Sequence, residues 1–236
     1  MQPLLHRPRD QQLKMAKEYL KSSYRWQLRV MAGINTTLFW LCIVSKTDIS
    51  TVAAFLSSFS PKDGFIGIVS PIICFVLDGL LSAEMKARII YWRWQNPLPG
   101  SFAFSYHLPR EHRADPDRLA RTWGKFPADP VQQNRLWYKI YNSVDSDIRV
   151  QEAHRVSLYS RDLTGFAGLF LVIFGFSTII IDARSSISYL FILFLIIQYF
   201  VMMSAARRYG VRFVRTALSV ASLREKSPVG SSSQPS

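Results

Sequence analysis

Chemistry needs titratable or nucleophilic side chains brought together, and this sequence supplies few of them in any recognisable arrangement. Of its four histidines, His6, His107, His112 and His154, only His107 and His112 stand close, with Glu111 and Asp115 beside them. Metal frames need ligands at characteristic spacings, and this cluster matches none. Asp115 and Asp117 fit helix capping better than ligation. Cys42 and Cys74, the only two cysteines, both fall inside apolar stretches where a thiol acts as a small hydrophobe. No phosphate loop or nucleophile motif is present. The sequence therefore assigns no catalytic residue, no cofactor and no metal, identifies no small-molecule substrate, and reads as that of a non-enzymatic protein.

One ionisable residue does stand out. Asp78 interrupts an otherwise apolar block, and a charge placed there in a bilayer costs on the order of 2–3 kcal/mol unless it meets water or a partner. Its plain role is to reach the interface or pair with a basic residue. Its functional role is to line a pore or contact a second subunit. Asn35 and Gln198 are the other candidate intramembrane polar residues, and hydrogen bonds between spans would serve folding equally well. Asn35-Thr36-Thr37 has the form of a glycosylation acceptor, but within a span it is inaccessible.

The elements that must position these residues are apolar blocks separated by charged ones. Spans are expected at about 28–45, 64–83, 164–181 and 187–206, since a hydrocarbon core of about 30 Å takes roughly 20 helical residues. The first is short and borrows Arg29 as a snorkelling end. The second carries Pro71, which should kink it, and Gly64, Gly67 and Gly79, which let helices approach. The third and fourth are the most apolar. The short loop from Asp182 to Ser186 makes them an antiparallel hairpin.

Charge orients the blocks. The chain carries 29 Lys+Arg against 16 Asp+Glu, a formal charge of +13. Basic residues crowd into 1–29, 84–163 and 207–236, leaving only Lys46, Lys62 and Arg184 for the other two connections. Alternation of this kind places both termini and the central region in the cytoplasm. A basic surface already explained by topology is not evidence for nucleic-acid binding. The expected fold is an all-α integral membrane protein. Its four transmembrane helices form two hairpins, with a helical cytoplasmic domain inserted between spans 2 and 3.

The domain plan follows. Residues 1–27 form an amphipathic N-terminal helix, 28–83 the first hairpin, 84–163 the cytoplasmic domain, 164–206 the second hairpin, and 207–236 a basic helix with a disordered tail. Ser82 to Trp94 contains no breaker, so the helix of the second span should continue past the bilayer until Asn96-Pro97-Leu98-Pro99-Gly100 ends it. Residues 95–114 should be an irregular connector. Asp115-Pro116 and Asp129-Pro130 each open a helix by pairing an N-cap with proline at the first helical position. The basic helix after residue 206 continues into the cytoplasm or bends along the lipid surface. Trp92, Arg93, Trp94, Phe104, Trp137 and Tyr138 are the candidate partner-facing residues of the cytoplasmic domain.

Asn96-Pro97-Leu98-Pro99-Gly100-Ser101-Phe102-Ala103-Phe104-Ser105, followed by Asn134-Arg135-Leu136-Trp137-Tyr138 and by Ser160-Arg161-Asp162 before a span, resembles bacterial inner-membrane proteins. The likeness is to transmembrane effectors of phage-defence systems such as those encoded beside retron reverse transcriptases. It covers mainly residues 85–165 and implies no catalytic residue. What it implies is a multi-pass, homo-oligomeric inner-membrane toxin, silenced by a regulatory protein or ribonucleoprotein complex and released on infection. The alternative is a membrane-anchored scaffold whose basic domain binds a protein or RNA. A lipid-modifying enzyme or small transporter ranks third, for want of convergent acid, base or phosphate-binding residues and of matching interrupted helices.

Overall fold

The computed structural model describes residues 25–44, 76, 79, 81–182 and 186–223. The N-terminal amphipathic helix up to residue 24, most of the second span with Asp78, Gly64, Gly67 and Pro71, and the tail after residue 223 lie outside the described residues.

Every regular element among the described residues is helical. Among the described residues six α-helices follow in chain order: α1 (Arg25–Val44), α2 (Ala83–Tyr91), α3 (Pro116–Trp123), α4 (Pro130–Val144), α5 (Ile148–Asp182) and α6 (Ser186–Leu223). Two of them, α5 and α6, are long and apolar enough to cross a membrane. A membrane location is therefore plausible from their length and composition. α1, at 20 residues, occupies the expected first block.

Two compact units make up the chain, one from residues 1–90 with 158–206, the other from 91–157 with 207–236. The core of the first is a set of rows spaced by four residues. Phe166, Phe170 and Phe174 on α5 and Phe191, Leu195, Tyr199 and Met203 on α6 are buried together with Leu28, Met31, Ala32 and Phe39 of α1. A four-residue ridge is how α-helices interdigitate. Phe39 stacks on Phe174 at 4.7 Å between ring centroids and meets Phe191 at 6.1 Å. The outward faces are equally apolar: Val172, Phe176, Ile179 and Ile180 on α5 and Leu190, Leu193, Ile197 and Val201 on α6 are exposed.

The same unit holds a buried ion pair. Lys86 Nζ of α2 lies 3.1 Å from Asp162 Oδ1 of α5, both side chains being at most 10% exposed. Arg161 Nε approaches the same oxygen at 3.5 Å. Nearby, the Tyr199 hydroxyl donates to the Ile89 carbonyl at 2.9 Å. Contrary to the expectation of an unbroken helix through residue 82, the chain bends at Leu81 and α2 begins afresh at Ala83. Ser82 is the reason: its Oγ accepts the Met85 N–H at 3.1 Å, an N-cap bond that competes with continued helix.

In the second unit both Asp-Pro openings behave as expected. Asp115 accepts from the Arg118 N–H at 3.0 Å and Asp129 from the Gln132 N–H at 2.9 Å. The connector is a series of tight turns, 3₁₀ over Pro99–Phe102, π over Ala103–His107 and 3₁₀ again over Leu108–Arg110. Residues 207–223 continue α6 without a break. Phe213, Val214, Ala217, Leu218, Val220 and Ala221 are buried with Trp137, Ile140, Tyr141 and Val144 of α4 in one core. The arginines of that segment alternate with an apolar face too large to leave in water, and that face fills the core of the unit.

Candidate functional site

The connector leaves α2 abruptly. Trp92 and Asn96 have φ of 52° and 48°, a left-handed conformation that is unfavourable for non-glycine residues and rare for one as bulky as tryptophan. The two reversals bring Pro97 and Pro99 alongside Val211 of α6, and together these form the apolar lining of a pocket of about 290 Å³. Tyr91, Phe102 and Tyr106 supply aromatic walls, Arg93 and Arg207 the charge, and His107 a polar group. None of these lining residues is acidic.

Rings hold the cations. The Arg93 guanidinium lies 4.6 Å from the Phe102 ring centroid, Arg207 lies 5.5 Å from that of Trp92, and Arg110 lies 3.8 Å from that of Tyr106. The Tyr91 hydroxyl rests against Gly210, where any Cβ would collide with it. Burial pushes the Tyr91 hydroxyl up to about 12 against the opposing pull of Arg207 and Arg93, so it stays protonated at neutral pH.

Gln133 of α4 braces the π turn that carries Tyr106 and His107. Its Oε1 accepts three hydrogen bonds, from Phe104 N–H, Ser105 N–H and Ser105 Oγ–H, each at 3.1 Å, and its Nε2 donates to the Ala128 carbonyl at 3.0 Å. Gly100 completes the contact, since a Cβ there would stand 2.5 Å from Asn134 Oδ1 and 2.7 Å from Trp137 Cε3.

No protein family, no curated protein and no solved structure matches the chain. The arrangement must be read from its own chemistry. A small concave site with two guanidiniums and three aromatic rings, one of them the protonated Tyr91, is suited to holding an organic anion. Among the described residues no group of three histidine, cysteine or acidic side chains is placed to hold a metal.

The sequence-derived candidates are dispersed. Asp78 lies outside the described residues. Asn35 is fully buried on α1, its Nδ2 donating to the Met31 carbonyl at 2.9 Å while its Oδ1 has no partner among the described residues. Gln198 on α6 has no partner for Oε1 among the described residues. Of the partner-facing set, Trp92, Trp94 and Tyr138 are exposed, Trp94 at 81%, and Arg93 enters the pocket. Phe104 and Trp137 are not partner-facing: they are core residues, Phe104 stacked on Phe126 at 4.6 Å and Trp137 edge-on to Phe213 at 5.3 Å. Gln133, Tyr106, Arg207 and the Lys86–Asp162 pair went unmarked in sequence. Only the helix-breaking prolines and the aromatic run signalled that something was built at 97–106.

His107 makes the unit sensitive to acid. Burial, with the charges of Arg215, Arg93 and Arg110, lowers its ring from 6.5 to about 4, although its hydrogen bond to the Pro99 carbonyl opposes the shift. The unfolded chain therefore binds a proton that the folded one refuses. Stability is full above pH 6.5 and falls as pH drops through 6.5 toward 4, by about 3 kcal/mol once both states are protonated. Thermal unfolding of the full chain in detergent should show this slope, and His107→Gln should flatten it. An unchanged slope would place the acid sensitivity elsewhere.

Proposed function

We propose that the protein is a non-enzymatic membrane effector with four spans, residues 84–163 and both termini facing the cytoplasm. In this reading it oligomerises so that its spans depolarise or perforate a bacterial inner membrane, and a regulatory protein or ribonucleoprotein complex keeps it silent. The observation that carries the reading is the surface of α6. Only 22% of its most apolar stretch is buried, leaving Leu190, Leu193, Ile197 and Val201 on a face that water would oppose and that lipid or another copy of the chain would cover. The residues of 85–165 that resemble phage-defence effectors support the same reading. Segregation of Lys and Arg into alternate connections supports the topology.

Expression of the full chain alone in bacterial cells should collapse the membrane potential, read with a potential-sensitive dye, and arrest growth before lysis. Normal potential at high expression would rule the effector role out. The second reading, a membrane-anchored scaffold, draws support from Trp92 and Trp94, both exposed beside Arg93. Recovery of one stoichiometric partner from non-toxic cells would favour it instead.

A further inference from the structure

We propose that Trp92 and Trp94 seat the chain in the headgroup layer of the bilayer, as an interfacial anchor at the level where α6 leaves the membrane. This seating rests on the membrane reading of α6 and adds a lipid-facing surface outside the spans.

The apolar run of α6 reaches Ala206 without a charged residue, with Ile197 and Val201 exposed along it, and Arg207 and Arg208 are the first charges beyond. The Trp92 ring lies 5.5 Å from the Arg207 guanidinium, which places it level with the point where the apolar run gives way to charge. Tryptophan is enriched at this depth of membrane proteins, because its large ring suits the edge of the acyl layer while its indole N–H suits water and phosphate. A protein partner imposes no particular level, whereas a bilayer requires this one.

Both rings are presented outward. Trp94 is 81% exposed and Trp92 60%, whereas Trp137 of the same unit is buried in the core. Leaving two such rings in water forgoes the burial that drives large apolar side chains out of it. The backbone is shaped to do so: α2 ends at Tyr91, Trp92 takes its left-handed φ of 52°, and Arg93 between the two tryptophans lies over the Phe102 ring at 4.6 Å. Charge agrees with a lipid surface. Residues 207–223 carry Arg207, Arg208, Arg212 and Arg215 and no acidic residue, and basic residues flanking a span suit a layer of lipid phosphates.

The test places the full chain in nanodiscs of phosphatidylcholine and phosphatidylglycerol whose acyl chains are brominated either close to the headgroup or near the bilayer centre. Trp94→Phe replaces an exposed ring and leaves the core untouched, so the emission of the parent protein minus that of the variant is the signal of Trp94. Trp92→Phe isolates Trp92 in the same way. Each signal should fall at least twofold with the shallow bromines and less with the deep ones, and should be shielded from acrylamide added to the water. A chain that co-elutes with the nanodiscs while both signals respond to acrylamide and to neither brominated lipid overturns the anchor, leaves the membrane reading standing and turns the tryptophans toward a protein partner. Stronger quenching by the deep bromines also overturns it, since the rings would then lie within the span. A chain that fails to enter the nanodiscs overturns both readings together. Trp92 packs on Arg207, so Trp94 decides alone should Trp92→Phe lose its helical circular dichroism.

Discussion

Asp162→Asn is expected to destabilise the first unit by about 3–5 kcal/mol, the range for stripping one partner from a buried ion pair. Lys86 and Asp162 meet at 3.1 Å with both side chains largely out of solvent, so removing the carboxylate leaves an ammonium buried beside a reduced counter-charge. The reverse change, Lys86→Met, should cost less, because Arg161 lies 3.5 Å from the same Asp162 oxygen and can take over part of the pairing. The double variant Lys86→Met/Asp162→Leu should recover much of the loss, since two apolar side chains need no desolvation to be offset. Retention of monodisperse full chain in detergent after stepwise heating measures all three. Equal losses in the two single variants would show that Arg161 lends nothing. A double variant worse than either single would show that the pair contributes more than it costs to bury.

Gln133→Leu should cost roughly 1–3 kcal/mol, because the leucine leaves the buried Phe104 N–H without the acceptor it now shares with the more exposed Ser105 N–H. The effect should reach the pocket. Those two residues lie within the π turn whose last members, Tyr106 and His107, line it, so Gln133→Leu should loosen that wall even where the protein stays folded. Gln133→Glu probes the other end: its ionised carboxylate still accepts from both amides but meets the Ala128 carbonyl with no proton to donate, so at this fully buried position it should destabilise at neutral pH and recover as acid protonates it. If Gln133→Leu matches the parent protein in thermal unfolding, the turn is held by its own backbone and the glutamine is incidental.

Much of the helical plan was legible in the residues because its signals are local. The Asp115-Pro116 and Asp129-Pro130 openings depend on a side chain reaching an amide three residues away, and both formed as expected. The continuous run from Ile148 into the third apolar block became one helix of 35 residues for want of a breaker. Ser82 shows the limit of that logic. A serine is tolerated in a helix or caps one, and nothing in its neighbours says which.

The site was far less legible. Trp137 and Phe104 were assigned to a surface because aromatics in a polar segment suit an interface, yet they became core once residues 207–223 packed against them. That packing joins positions more than 70 residues apart in the chain. Gln133 carried no mark at all, since a polar residue in a polar helix is the ordinary case and its importance lies in which amides face it.

The sequence by itself determined that the chain is helical, that α5 and α6 are apolar enough for a membrane, and where capped helices begin. Each of these depends on neighbours within a few turns, through periodicity, proline geometry and side-chain capping. Only the tertiary structure decided that Lys86 would meet Asp162, that the arginine end of α6 would complete the pocket, and that Gln133 would brace the π turn beside it. Those contacts arise from burying apolar faces drawn from distant segments, and burial is a property of the packed whole, not of local order in the chain.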